Sequence, residues 1–175
     1  LPVGLTKGSK MFYFCSNLTG NIPELPSSLT EATFMFANCP KLTGDIPELP
    51  TTLTKADNMF HQREGLDGTI SNSNLGNTQI TDASRMFYHC SKLTGNIPGL
   101  PSTLTNASDM FDGCSSLTGN IPELPSSLTS GHSMFSSCSG LTGNIPELPS
   151  SLTDGVYMFF ACSGLTGNIP ALPVG

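Results

Sequence analysis

Several features are scarce in this 175-residue chain. Tryptophan is absent and charged residues make up only 11% of the sequence, against about 25% in a typical globular protein. The seven lysines and arginines form no cluster, which argues against a nucleic-acid-binding face. No apolar run approaches the roughly 18 residues of a transmembrane helix, so we predict no membrane-spanning segment. No catalytic motif and no paired Cys or His spacing stands out, so we expect no enzyme activity, no cofactor and no metal.

Repetition is what the chain has in abundance. A unit of 24 residues recurs with the same Met-Phe pair in each copy, and one step is lengthened to 27. The pairs begin at Met11, Met35, Met59, Met86, Met110, Met134 and Met158. A fixed period of this size is typical of a solenoid, in which each repeat is one coil that buries apolar side chains against its neighbours. We therefore predict one leucine-rich-repeat-like solenoid over residues 1–175, with about seven coils, a parallel β-sheet and little regular α-helix.

The segment Leu141–Ile145 shows how one coil is built. Apolar or small residues alternate with polar ones in this segment, which predicts a strand with one buried face. Pro146 then ends the strand, because proline cannot donate a ladder hydrogen bond. Around Met158-Phe159 we expect one helical or 3₁₀ turn. Stacked in register, the Met, Phe, Cys, Leu and Ile side chains form ladders along the solenoid axis.

Six cysteines occupy one equivalent position of the repeat. They are Cys15, Cys39, Cys90, Cys114, Cys138 and Cys162. In-register neighbours on adjacent coils point the same way, whereas a disulfide needs Cβ atoms that converge. We therefore predict reduced, buried thiols that pack as small apolar groups.

At this point the residues resemble a known family. The unit L-P-S-S-L-T…M-F-x-x-C-S-x-L-T is similar to the BspA-like leucine-rich repeats of bacterial and protist surface proteins, in the variant with Met-Phe in place of Ala-Phe before the Cys. The resemblance covers the chain from Leu1 to Gly175. It implies a leucine-rich-repeat solenoid that is secreted or cell-surface and acts in adhesion to a protein or glycan on another cell or host surface. The string Leu-Thr-Gly-Asn-Ile-Pro more weakly resembles the plant-type repeat, whose full frame is missing.

Polar residues on the predicted strand form two regular files, which we call the Thr/Asn lattice. Its candidate binding residues are Thr19, Asn21, Thr43, Asp45, Thr94, Asn96, Thr118, Asn120, Thr142, Asn144, Thr166 and Asn168. One interpretation is a solvated β-face without a ligand. A second is a recognition surface for a glycan or a protein, and a third is ice binding by a flat threonine array.

The third coil departs most from the repeat. Arg63 stands where cysteine is expected, and three extra residues enter within Ser71–Gln79. One interpretation is a tolerated loop insertion. The other is a local binding site formed by His61, Arg63, Glu64 and Asp67, with Arg63 paired to a neighbouring carboxylate or turned outward.

The two ends of the chain are in the same phase of the repeat. Residues 1–4 and 172–175 share the sequence Leu-Pro-Val-Gly. Either the chain is a piece of a longer array, or its end coils stack head to tail, which gives filaments when rotation does not close the assembly. We expect an extracellular adhesion or interaction module, with a filament-forming structural protein as the alternative.

Overall fold

The computed structural model describes residues 1–61 and 65–172. Its strands are β1 (Gly20–Asn21), β2 (Leu42–Thr43), β3 (Gly95–Asn96), β4 (Leu117–Asn120), β5 (Leu141–Asn144) and β6 (Leu165–Thr166). All pairings are parallel and give a two-stranded sheet, β1-β2, and a four-stranded sheet, β3-β4-β5-β6. The described residues contain no α-helix and one 3₁₀ helix, Leu75–Asn77. The predicted repeat solenoid with parallel strands is confirmed.

The strands pair with a stagger that the sequence pattern does not predict. Gly119 lies opposite Leu141 and Asn120 opposite Thr142, so Asn faces the Thr of the next coil rather than the next Asn. The strand pairing is therefore offset by two residues from the 24-residue repeat, while the side-chain ladders of the core keep that spacing. Gly119 has a φ of +77°, and a Cβ there would lie 2.5 Å from Oδ1 of Asn96 in the preceding coil. Glycine recurs at this position because the asparagine side chain of one coil lies over the glycine of the next.

The segment around each Met-Phe pair is a series of hydrogen-bonded turns. In the fifth coil the Asp112 N–H donates to the Asp109 carbonyl at 3.3 Å, and the Cys114 N–H donates to the Phe111 carbonyl at 3.0 Å. The N–H groups that alternate with these donors bond to the next coil, as Phe111 does to the Met134 carbonyl at 2.9 Å. Because alternate N–H groups leave the coil, the i→i+3 bonds stay separate and do not continue into a helix. The predicted helical or 3₁₀ turn is present only as these single i→i+3 turns.

Two positions of this segment adopt left-handed backbone. They are the residue before each Met of the repeat and, among the described residues, the second residue after each Phe of the Met-Phe pairs. The non-glycine members are Lys10, Phe14, Phe34, Asn38, Asn58, Arg85, His89, Asp109, Ser133, Ser137, Tyr157 and Ala161, with φ from 50° to 61°. Such a conformation costs about 1–2 kcal/mol for an L-residue. It persists here because backbone hydrogen bonds to a neighbouring coil fix the chain at or beside these residues.

The core is a set of side-chain ladders, as predicted. Seven phenylalanine rings from Phe12 to Phe159 stack in sequence, with centroids 5.3–6.0 Å apart and planes within 12° of parallel. Met110, Phe111 and Cys114 of the fifth coil are completely buried. Stacked rings contribute stability beyond the area that they bury, so the phenylalanine ladder is the main apolar connection between coils.

All six cysteines lie in the described part of the chain, and none forms a disulfide. Five donate their S–H to the phenylalanine carbonyl of the preceding coil, as Cys114 does to Phe87 at 3.0 Å. Burial raises the pKa of the Cys114 thiol well above its ordinary value. Five of the six thiols are buried, as predicted, and act as hydrogen-bond donors as well as apolar groups, whereas Cys15 is only partly buried. Their reduced state stays a prediction.

Hydroxyl groups of the L-P-S-S-L-T segment also connect neighbouring coils. Thr129 Oγ1 donates to the Thr105 carbonyl at 3.0 Å, and Ser127 Oγ donates to the Leu104 carbonyl at 2.7 Å. Equivalent bonds recur in most coils. Because each hydroxyl satisfies a carbonyl of the preceding coil, these bonds explain the repeated Ser and Thr of the L-P-S-S-L-T unit.

The insertion in the third coil packs inward. Leu75 is completely buried, and Thr78 Oγ1 donates to its carbonyl at 2.8 Å. The carbonyl of Ser73 accepts the Leu49 N–H at 2.7 Å. These contacts keep the neighbouring coils connected, while pairing between the two sheets is reduced to one bridge, Thr69 to Thr94.

Candidate interaction surfaces

The Thr/Asn lattice lies on the outer face of the strands. Thr118 and Asn120 are exposed while Leu117 between the coils is buried. The lattice is hydrogen-bonded to itself, since Thr118 Oγ1 lies 3.4 Å from Asn96 Oδ1 and Thr43 Oγ1 lies at the same distance from Asn21 Oδ1. The face therefore presents similar polar side chains in most coils. Some of their hydrogen-bonding groups are already paired with side chains of the neighbouring coil.

Two candidate residues of the irregular coil, His61 and Asp67, are described by the structure and have different surroundings. Asp67 Oδ1 accepts the Gly44 N–H at 3.0 Å on the strand side of the solenoid. His61 instead stacks on Tyr88, with ring centroids 4.9 Å apart. Arg63 and Glu64 lie outside the described residues. Asp67 thus replaces a missing ladder bond, and His61 belongs to a different surface.

That surface is formed by the two residues before each Met and the two residues after each Phe, and we call it the variable turn face. It holds all three tyrosines, all three histidines and every phenylalanine outside the ladder. These residues are Tyr13, Phe14, Phe34, His61, Tyr88, His89, His132, Tyr157 and Phe160. Variation between coils is concentrated here, because the ladder and lattice positions repeat almost unchanged.

Contacts along the axis order the side chains of the variable turn face. The Tyr88 ring lies between His61 and His89, at centroid distances of 4.9 and 4.2 Å. The Arg85 guanidinium carbon is 5.9 Å from the Tyr88 centroid, and Arg85 Nε is 3.0 Å from Asp109 Oδ2. A similar aromatic group at the first coils joins Tyr13 to Phe34. His61 and Tyr88 therefore stack face to face, whereas Tyr13 meets Phe34 edge to face.

His61 is held in its neutral form. Burial lowers the pKa of this histidine, and the positive charge of Arg85 lowers it further. Its Nδ1 is buried and has no hydrogen-bond partner among the described residues. The centre of the variable turn face therefore presents a neutral imidazole beside one Arg–Asp ion pair.

Sequence reasoning missed this surface because it followed the residues that repeat. His89 and His132 fall at different repeat positions and form no file of like residues. The sequence did contain a sign of this surface: the tyrosines and the phenylalanines outside the ladder occur only at the few positions that change from coil to coil.

Within residues 1–61 and 65–172, no group of three or more His, Cys, Asp and Glu side chains is arranged to hold a metal ion. The same residues include no helix long and apolar enough to cross a membrane.

These features define a parallel-stranded repeat solenoid with one uniform face and one varied face. The chain matches the family model described as "Mycoplasma protein of unknown function, DUF285" over residues 6–124 and 100–172, and it belongs to that family. The match is consistent with a BspA-like repeat family, while the assignment to the Met-Phe variant stays a prediction. No curated protein and no solved structure matches the chain.

Proposed function

We propose that the chain is a non-enzymatic, extracellular or cell-surface module for adhesion, and that it contacts a protein on another cell or host surface through the variable turn face. The observation that carries this proposal is the segregation of residues. Every tyrosine and histidine lies on one face of a scaffold that otherwise repeats.

The composition of the variable turn face suits protein recognition. Tyrosine and arginine dominate the binding energy of many protein interfaces, and Tyr88 and Arg85 lie together at its centre. Their mutual contacts hold the side chains in place before binding, which reduces the entropy that association must overcome. An irregular partner is favoured, because no two coils present the same residues.

The Thr/Asn lattice supports a different kind of partner. A face that repeats from coil to coil matches a partner that is itself periodic, such as a glycan polymer or ice. The Thr118–Asn96 contact already occupies part of the polar groups that such a partner requires. Recognition of a glycan or of ice by the lattice therefore stays the alternative.

Buried thiols are compatible with a place outside the cell. A thiol reacts as its thiolate, and the raised pKa of Cys114 keeps that form scarce. The completely buried Cys138 is shielded in the same way, so these buried thiols resist an oxidising medium, whereas partly exposed Cys15 lacks this protection.

Adhesion of the purified chain tests the proposal. Fluorescent beads carrying the chain are washed over cultured animal cells, with bare beads as the control. We expect retention on untreated cells, a large loss on protease-treated cells and little change on glycosidase-treated cells. Retention equal to that of bare beads contradicts the adhesion role, and loss only after glycosidase treatment favours the glycan alternative.

A further inference from the structure

The insertion in the third coil opens a groove along one edge of the solenoid. Residues 71–79 stand where the other coils carry their Ile-Pro and Leu-Pro pairs. Two cavities, of about 500 Å³ and about 620 Å³, flank the insertion, and Glu48 and Asn74 line both of them. We call the two cavities together the insertion groove. It is separate from the variable turn face, since none of its described lining residues lies at a turn-face position.

A second departure from the repeat keeps this groove open. The fourth coil has Gly99 at the position that Glu48 and Glu123 occupy in the second and fifth coils. A Cβ at Gly99 would meet no atom within 4 Å, so the space beside it is open. A Cβ at Gly76 would lie 2.8 Å from the Gly99 carbonyl oxygen and would push the insertion away from the fourth coil. The insertion and Gly99, which both break the repeat, therefore line the same groove.

Two carboxamides of the insertion are oriented before any ligand binds. Asn77 Nδ2 donates to Asn74 Oδ1, which leaves Asn74 Nδ2 as a donor and Asn77 Oδ1 as an acceptor, and no described residue bonds to either atom. Asn74 is half-buried and has a φ of 59°, so its backbone holds the amide beside the groove. A donor and an acceptor side by side match the N–H and C=O groups of a peptide backbone.

The charge of the insertion groove favours a cationic ligand. Glu24 and Glu48 are exposed on its wall, and among its described lining residues none carries a positive charge or an aromatic ring. Glu123, which has coils on both sides, is exposed at the same repeat position, so this exposure belongs to the repeat. Pro47 and Leu100 are half-buried lining residues. The stem of a lysine or arginine lies along such apolar surface while its charged head reaches a carboxylate.

The length of the groove suits a short extended segment. Its lining passes from Glu24 through Glu48 and the insertion to Gly99, which is three coil steps. Coils about 4.8 Å apart make this about 14 Å, and an extended peptide of about four residues spans that length at about 3.3 Å per residue.

We propose that the insertion groove binds an extended segment of a partner protein that carries lysine or arginine side chains. Glu48 pairs with a cationic head, and the amides of Asn74 and Asn77 bond to the backbone of the segment. The carboxylate sets the preference for basic over acidic segments, and the amides require an extended backbone. This site goes beyond the adhesion role of the variable turn face, and neither depends on the other.

Fluorescence anisotropy with a fluorescein-labelled peptide of alternating lysine and glycine tests the proposal. We expect binding that weakens as the salt concentration rises, and no binding of a glutamate–glycine peptide of equal length. Glu48→Gln removes the charge at constant shape, and Asn74→Gly removes the amide with a residue that accepts the positive φ. Each should weaken binding about fivefold. Gly99→Phe fills the open space beside that residue and should abolish binding.

Two matched variants separate the groove from other surfaces. Glu123→Gln removes the same repeat position away from the insertion and should weaken binding less than about twofold. Arg85→Ala/Tyr88→Ala alters the variable turn face and should bind the peptide as the wild type does. Circular dichroism first establishes that every variant is folded.

Three results would overturn the proposal. They are a wild-type chain that does not prefer the lysine peptide, an equal loss from Glu123→Gln and Glu48→Gln, and unchanged binding in Gly99→Phe. Binding of a labelled neutral oligosaccharide in place of the peptide would assign the groove to sugars and overturn it as well.

Discussion

Truncation of one ring in the phenylalanine ladder, Phe111→Ala, tests the energetic basis of the stack. Phe111 is completely buried, and its ring centroid lies 5.4 Å from Phe87 and 5.8 Å from Phe135. Replacing a buried phenylalanine by alanine costs about 3–5 kcal/mol. A ring stacked on both sides loses two aromatic contacts, so we expect about 4–5 kcal/mol for Phe111→Ala.

Two matched variants set the scale of this prediction. Phe159 is half-buried and contacts one ladder ring, that of Phe135 at 5.9 Å. Phe159→Ala should therefore cost about 2 kcal/mol, roughly half of the central value. Phe14 is 65% exposed, and Phe14→Ala should change stability by no more than about 0.5 kcal/mol.

Urea unfolding followed by far-ultraviolet circular dichroism measures all three free energies. A natural domain is stable by only about 5–15 kcal/mol, so the central variant should unfold at a much lower urea concentration. If Phe111→Ala loses less than about 1 kcal/mol, or no more than Phe14→Ala, the ladder does not hold the coils together as described.

Three further predictions follow from single positions. Ala161 is exposed with a φ of 56°, so Ala161→Gly should relieve left-handed strain and stabilise the chain by about 1 kcal/mol; an unchanged or lower melting temperature in calorimetry argues against that strain. Burial shields the Cys114 thiol and raises its pKa, so Ellman's reagent at mildly alkaline pH should react with it only as fast as the chain unfolds. Half-exposed Cys15 should react first. Equal reaction rates for the two thiols would refute the buried ladder. The pKa of His61 is lowered in the folded chain, chiefly by burial and then by Arg85. As the pH falls below about 6.5, the unfolded chain therefore binds a proton at His61 before the folded chain does, and the free energy of unfolding decreases. Urea midpoints at about pH 7.5 and about pH 5.5 should differ less in His61→Asn than in the wild type, and an equal difference in both removes His61 as the cause.

The fold followed from the sequence because its determinants repeat. A buried side chain at one position of each 24-residue unit can only stack on its equivalents, so the Met, Phe and Cys ladders were predictable without knowledge of the backbone path. The prediction of reduced cysteines rests on the same geometry, since in-register thiols on neighbouring coils point the same way.

The backbone path itself was not predictable from one coil. Lys10, Phe34 and Tyr157 have no intrinsic preference for left-handed backbone, and hydrogen bonds to a neighbouring coil at or beside each residue impose it. The stagger of the strands likewise depends on the fit of Asn96 over Gly119, which is a contact between coils. Both features are determined by contacts between coils, so the conformational preferences of single residues do not predict them.

The candidate site was only half visible in the sequence. The Thr/Asn lattice is readable as two files of like residues, and its exposure is as expected. The variable turn face is a set of unlike residues, such as Arg85, Tyr88 and His132, which come together only when the coils are superposed. Asp67 was grouped with His61 by its place in the chain, but the fold separates the two.

One comparison tests most directly whether the variable turn face is the binding surface. Arg85→Ala/Tyr88→Ala removes the centre of that face, and Thr118→Ala/Asn120→Ala removes an equal number of side chains from the Thr/Asn lattice. Retention of beads carrying each variant on cultured cells is measured after both are shown to melt at similar temperatures. The account predicts that the first variant loses most of the retention and that the second keeps it, and the opposite result would assign binding to the lattice and contradict the account.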